Sequence, residues 1–294
     1  MACVGGPARK IHSAVVAYVV GLLMASLVGG CSPVRLVNAT LRSDAYSVVR
    51  DVPYGEASRQ RLDVYRPNGG ATALPVVIFF YGGSWQGGEK DLYRFIGDAF
   101  TANDFVTVIP DYRVYPEVKF PVFVDDGAEV VRWVRDHAGE IGADPSRIYL
   151  MGHSAGAHIA ALLVLDPRYL ERAGVDRSSI RAMVGFSGPY DFLPFHTETL
   201  RTLFGPRDGW PETQPINFVD GSAPPMLLLT GRWDTTVSPG NTSRLVRRIC
   251  EHGGNARAIF YRGLGHTLVI GALSRPLQHV LPVYSDVTEF LAEH

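Results

Sequence analysis

The chain has 294 residues, 46% hydrophobic and 19% charged, with 28 basic against 29 acidic side chains and a formal net charge of −1. That length and balance suit one α/β domain near the upper end of its size range and exclude intrinsic disorder. Near-neutrality gives nucleic acid no electrostatic hold, and nine histidines and three cysteines, in no CxxC or HExxH spacing, give no metal site.

The N-terminus reads as an address. Arg9 and Lys10 are followed by an uncharged run over residues 13–30, which ends at Cys31. This is the layout of a secretory signal. Leu27-Val28-Gly29-Gly30-Cys31 also resembles a bacterial lipobox. That implies cleavage before Cys31, lipid on Cys31, and a protein held at a membrane facing the periplasm or exterior. The competing reading is an ordinary signal peptide or an uncleaved anchor, since the run approaches the roughly 20 residues that span a bilayer. We assign residues 1–30 to the signal, 31–43 to a tether and 44–294 to the folded domain. With Cys31 lipidated, Cys250 has no partner and no intramolecular disulfide is expected.

From residue 44 the pattern alternates between strands and helices. Residues 46–52 and 61–65 alternate apolar and polar, as half-buried antiparallel strands do. Residues 75–81 and 105–110 are continuous apolar runs, suited to central parallel strands. A crossover helix is predicted over 89–102 and another over 124–138. Further strands are predicted at 147–151, 181–187, 226–230 and 256–261, with helices at 157–164, 239–252 and 281–293. Such alternation implies a mostly parallel sheet flanked by helices. Segment 190–224 breaks it. It carries Phe192, Phe195, Phe204, Trp210 and several prolines, with a short helix near 197–204. Connections of that length are usually functional or disordered. It reads either as a cap over the sheet edge or as a surface excursion with its own small core.

Gly152-His153-Ser154-Ala155-Gly156 carries the chemistry. A serine between a strand and a helix, with glycines two residues to each side, is a nucleophile elbow. The serine is exposed on a strained turn, and the N–H of Ala155 starts the helix where an oxyanion would form. A serine needs a base, and the base an orienting acid. Asp234 and His266 follow the last two strands, on the same sheet edge as Ser154 and in the chain order Ser, Asp, His. Asp191 is the second candidate acid. His153 and His158 flank the serine but should be turned away from it. Tyr81-Gly82-Gly83-Ser84-Trp85 follows the third strand, where the remaining oxyanion donors belong. The hole is assigned to the N–H groups of Gly83, Ser84 and Ala155, and Trp85 to the substrate pocket or the core beside it.

The chain resembles the α/β-hydrolases, in the esterase group of hormone-sensitive-lipase-like enzymes, bacterial feruloyl-esterase-like proteins and kynurenine formamidases. The likeness is carried by Leu62-Asp63-Val64-Tyr65-Arg66-Pro67, the Gly-Gly-x-Trp loop, Asp111-Tyr112-Arg113, the elbow, Gly188-Pro189-Tyr190-Asp191, and the Asp234 and His266 loops. It implies an α/β-hydrolase fold with a short cap, hydrolysis of small carboxylic esters through an acyl-enzyme, and no cofactor. A formamidase or small-amide hydrolase with the same triad is the nearest alternative. A non-catalytic surface-binding lipoprotein is the alternative of another class, and it has no need of all three side chains. The family's oxyanion loop opens with histidine, and here Tyr81 stands in its place, so either its hydroxyl braces the loop in a different way or the loop sits slightly displaced.

Overall fold

Residues buried on both faces build the middle of the sheet, and half-buried ones build its edge. In the computed structural model the described residues are 44–294, with Asn38, Leu41 and the backbone of Arg9–Lys10. The uncharged run, the lipobox-like segment and most of the tether lie outside the described residues. Eight strands are β1 (Tyr46–Pro53), β2 (Arg61–Pro67), β3 (Leu74–Phe80), β4 (Val106–Pro110), β5 (Ala143–His153), β6 (Ile180–Phe186), β7 (Met226–Gly231) and β8 (Ala256–Arg262). Their order across the sheet is β8-β7-β6-β5-β3-β4-β2-β1, and the two-residue strand Arg9–Lys10 pairs in parallel with the outer side of β8. β1 and β2 are antiparallel to their neighbours, and all pairs from β4 to β8 are parallel. Every residue of β4 and β7 is buried, whereas β1 is mostly exposed. Each aliphatic side chain so buried contributes about 1.5–3 kcal/mol.

The main helices are α1 (Arg94–Thr101), α2 (Val122–Asp136), α3 (Ala155–Leu165), α4 (Glu198–Phe204), α5 (Gly240–Glu251), α6 (His266–Gly271) and α7 (Val283–Glu293). α3 is apolar on every side and wholly buried, which makes it the inner helix of its layer. The crossover helix expected over 89–102 is divided. Residues Lys90–Tyr93 form a 3₁₀ turn and only Arg94–Thr101 is α-helical. The cause is Lys90. Its ammonium is buried between Asp51 (2.7 Å) and Asp63 (2.9 Å), and its N–H is taken by Asp111 (2.8 Å), so the chain is pinned before the helix can start.

A second departure concerns sulfur. Cys250 is disulfide-bonded, where no intramolecular disulfide was expected, and its partner lies outside the described residues. Among the described residues no helix is long and apolar enough to cross a membrane.

Candidate active site

Sheet register brings two loops together. Phe80, the last residue of β3, pairs with Gly152 near the end of β5, so the loop after β3 runs directly beside the turn after β5. Ser154 occupies that turn at φ 55°, ψ −121°, in the left-handed half of conformational space. The flanking glycines are required by contact. A Cβ on Gly152 would lie 2.3 Å from the Gly156 carbonyl oxygen, and one on Gly156 would lie 2.0 Å from that of Phe80. The turn is fastened by Ser154 N–H donating to the Phe186 carbonyl of β6 at 2.9 Å.

β7 and β8 deliver the other two side chains. His266, the first residue of α6, has Nδ1 at 2.8 Å from Asp234 Oδ2 and Nε2 at 2.9 Å from Ser154 Oγ. An ionised carboxylate only accepts, so Nδ1 carries the proton and Nε2 is left to accept from the serine hydroxyl. Asp234 is itself held. Its Oδ1 accepts from the N–H groups of Thr236 (2.9 Å) and Val237 (2.8 Å). Burial would raise its pKa, but hydrogen bonds from His266, Val237 and Ser187, with the His266 charge, outweigh it and hold the carboxyl below its usual range. Ser154, His266 and Asp234 thus form one hydrogen-bonded line. Asp191 is not in it. Its carboxylate pairs with Arg244 of α5, which also donates to the Asp191 carbonyl at 2.6 Å.

The loop after β3 is tightly wound. Gly83 has φ 155°, and a Cβ there would lie 2.1 Å from the Gly87 carbonyl oxygen. Ser84 (φ 53°) and Trp85 (φ 57°) take left-handed conformations that cost about 1–3 kcal/mol each. The tryptophan's packing offsets its strain. Its ring stacks on Phe192 (5.7 Å between centroids) and meets Phe204 (4.9 Å) and His158 (5.0 Å) edge-on. Among the described residues no acceptor engages the N–H groups of Gly83, Ser84 or Ala155, so these three donors are unspent. Such donors can stabilise a developing oxyanion.

Tyr81 is held at both its hydroxyl and its carbonyl. Its hydroxyl donates to Asp111 Oδ1 (2.6 Å) and accepts from the Arg59 guanidinium (2.8 Å). The same guanidinium nitrogen reaches the Gly88 carbonyl at 2.8 Å, and the Tyr112 hydroxyl holds the Tyr81 carbonyl at 2.7 Å. Both ends of the loop are therefore tied to one buried cluster. Asp111 and Tyr112 stand in the segment that carried the resemblance, but Arg59 precedes β2 and only the fold brings it near.

Both other histidines turn away from Oγ. His153 Nε2 lies 3.1 Å from the His266 carbonyl, and His158 Nε2 lies 2.8 Å from that of Thr213. Each is buried, and burial lowers its pKa, to about 3 for His153, where the His266 charge adds to the effect, and to about 4 for His158.

Ser154 opens into a cavity of about 440 Å³. Its lining combines apolar Trp85, Phe192, Leu193, Pro194 and Leu200 with polar Asp191, Arg244, Asn241, Ser238 and His196. Segment 190–224 contributes both to this lining and to an aromatic cluster of its own. Phe192, Phe195, Phe204 and Trp210 pack on one another, and residues 191–200 roof the serine. Three side chains hold the roof. Asn241 Oδ1 accepts from the N–H groups of Tyr190 (2.9 Å) and Asp191 (2.8 Å), Gln214 from that of Phe192 (2.7 Å), and His158 donates to Thr213. Among the described residues no three His, Cys, Asp or Glu side chains gather closely enough to hold a metal ion.

Residues 62–249 match the family model described as BD-FAE. The chain is 32% identical over 242 residues to the probable isoprenylcysteine alpha-carbonyl methylesterase ICMEL1 of Arabidopsis thaliana, a match covering 75% of this chain and 51% of that protein. It is 29% identical over 270 residues to the esterase LipC of Mycobacterium tuberculosis, covering 84% and 67%. The chain thus spans about half the length of the plant relative. Among solved structures, a truncated form of a carbohydrate esterase from gut microbiota superposes with a TM-score of 0.74 at 24% identity, over 86% of this chain and 98% of that one, and so shares the fold.

Proposed function

The chain belongs to the BD-FAE family, within the α/β-hydrolase esterases, and on that premise we propose that it cleaves carboxylic esters through an acyl-enzyme on Ser154. The observation that carries the proposal is the Ser154–His266–Asp234 line opening into a cavity lined by Trp85 and Phe192. His266 Nε2 takes the serine proton as Oγ attacks the ester carbonyl. Asp234 keeps the proton on Nδ1 and stabilises the imidazolium. The N–H groups of Gly83, Ser84 and Ala155 receive the oxyanion. The proton on Nε2 passes to the leaving alcohol, and a water activated by His266 releases the acid. The apolar part of the ester would lie against Trp85 and Phe192. Ser154→Ala should fold as wild type and lose kcat on p-nitrophenyl acetate or butyrate by about 10⁴- to 10⁶-fold. A fluorophosphonate should modify wild type at Ser154. Modification elsewhere, or an active alanine variant, would overturn the assignment.

We also propose that residues 1–30 export the domain and that Cys31 becomes its lipidated N-terminus. The uncharged run behind Arg9 and Lys10 and the Gly29-Gly30-Cys31 end support this. A disulfide at Cys250 fits an oxidising compartment. The two features compete for one atom. Cleavage before Cys31 removes Cys3, so a disulfide within the processed chain needs the Cys31 sulfur that lipid would occupy. The mass of the mature N-terminal peptide, with and without reduction, decides. A diacylglyceryl adduct on Cys31 is expected, whereas a Cys31–Cys250 cross-link would leave a secreted, unlipidated enzyme.

A further inference from the structure

The elbow carries a second side chain that bears on the histidine loop. His153 ends β5, immediately before the serine, and is 5% exposed. Its Nε2 lies 3.1 Å from the backbone carbonyl of His266, and the two imidazole rings are 4.8 Å apart between centroids. A carbonyl only accepts, so Nε2 must be the protonated nitrogen of His153. Nδ1 is then a bare acceptor. It is buried without a hydrogen-bond partner and faces Gly82, where a Cβ would come within 2.9 Å of it. His153 therefore lies between the two loops that must be in register with Ser154, touching one through Nε2 and lying against the other through Nδ1.

We propose that His153 is a positioning residue for the reaction. Its Nε2–H holds the His266 backbone at the height where the imidazole bridges Ser154 and Asp234. The proposal rests on the triad reading and deepens it. The need is geometric. His266 stands at the first position of α6, beyond the loop that leaves β8, and its ring must satisfy Oγ at 2.9 Å and the carboxylate at 2.8 Å together. A displacement of about 1 Å in such an arrangement can cost about 100-fold in rate. Two strands separate the ends of β5 and β8 in chain order, and the elbow bridges them through Ser154 Oγ to the ring and His153 Nε2 to the backbone. Two attachments from adjacent residues fix both the position and the tilt of His266. Burial supports the arrangement by keeping His153 neutral, so the proton gained by His266 meets no second positive charge beside it.

The test is a matched series in the full chain. A glutamine amide nitrogen can stand where Nε2 stands, whereas that of asparagine stops short, near the place of Nδ1. His153→Gln should keep kcat within about threefold of wild type, and His153→Asn should lose about 10- to 100-fold, both with KM within about twofold. His153→Leu, which fills the space without a donor, should match the asparagine variant if it folds. Fluorophosphonate labelling at Ser154 should slow in parallel with kcat, since nucleophile activation depends on the same His266 geometry. Equal activity of the Gln and Asn variants, at equal melting temperature, would overturn the proposal and leave His153 a packing residue. If Ser154→Ala proves fully active, the triad reading itself fails, and that outcome is distinct from any ranking of the His153 variants.

Discussion

The two walls of the cavity are built in opposite ways. One is the end of the sheet. The elbow, the loop after β3 and the Asp234 and His266 loops all spring from parallel strands whose ends are in register, and a Cβ on Gly83, Gly152 or Gly156 would come within 2.0–2.3 Å of a backbone carbonyl oxygen, so these turns admit no side chain there. The other is segment 190–224. It holds one seven-residue α-helix and two 3₁₀ helices, Arg207–Thr213 and Pro215–Phe218, and it is secured by side chains of Asn241, Gln214 and His158 bonding its backbone. On the proposed function, chemistry sits on the first wall, where regular structure fixes the distances. Shape sits on the second, where the chain can be remodelled without moving the reacting atoms. If this division holds, substitutions on the sheet side should act on kcat, and those on the roof should act on KM and on substrate choice.

The sharpest challenge is to exchange the acids of the two walls. Asp234→Asn keeps shape, but the amide can donate to Nδ1 and so favours the wrong tautomer. We expect kcat to fall about 10⁴-fold with a native fold. Asp191→Asn, on the roof, should change kcat less than about threefold, because Asp191 meets Arg244 and not His266. The reverse ranking would move the acid to the roof and end the comparison. A stability measurement accompanies it. The Asp234 pKa is lowered in the fold, so its stabilisation is complete above the unfolded value of about 3.9 and is lost as pH falls through the folded one. Thermal unfolding of Asp234→Asn between pH 5 and 2, ranges set by that sign, should show a shallower acid-side decline than wild type.

What could be read in the sequence follows the same division. The eight strands, the elbow, the positions of Asp234 and His266, and the Gly-Gly-x-Trp loop were all legible, because each is encoded locally, by an apolar run followed by its own turn residues. The supports were not. Arg59 reaches Tyr81 across 22 positions and Asn241 reaches Asp191 across 50, and neither spacing has any local signature. Asn241 even begins an Asn-Thr-Ser sequon, yet its side chain is buried and spent on two backbone N–H groups. The divided helix at Lys90 was missed for a related reason. Periodicity continues through it, and only the tertiary ion cluster of Asp51 and Asp63 stops the helix from starting there. The cap was half legible, since its aromatics announced a small core but not which face that core would cover.

A middle-sized effect tests the sheet wall at its one departure from the family pattern. Tyr81→Phe deletes the hydroxyl that joins Asp111 and Arg59 and leaves the ring stacked on Tyr112 at 4.9 Å. Asp111 keeps the Lys90 N–H, and Arg59 keeps the carbonyls of Tyr112 and Gly88, so the loop should loosen and not collapse. Losing about 1–2 kcal/mol of support corresponds to a kcat lower by about 5- to 30-fold, with KM little changed, because the oxyanion donors act mainly in the transition state. An unchanged kcat in steady-state ester hydrolysis would show that the ring alone supports this loop.

The smallest expected change belongs to the roof. Asn241 lies at the start of α5, 5% exposed, and lines the cavity beside Arg244. Asn241→Ala removes the acceptor shared by the Tyr190 and Asp191 N–H groups and the donor to the Ser238 carbonyl at 3.2 Å. Leaving such buried groups unpaired costs about 1–3 kcal/mol, which should appear as a lower melting temperature. The roof is also held by Gln214 and by the Arg244–Asp191 pair, so it should shift and not open. Nothing in the Ser154–His266–Asp234 line bonds to Asn241. KM should therefore rise by about two- to fivefold, most for acyl chains long enough to touch Phe192 and Leu193, while kcat for an acetate ester stays within about twofold. A profile of p-nitrophenyl esters from acetate to octanoate reads both at once. If the alanine variant loses kcat on acetate as much as Tyr81→Phe does, the roof is part of the catalytic frame, and the separation of chemistry from shape across this cavity does not hold.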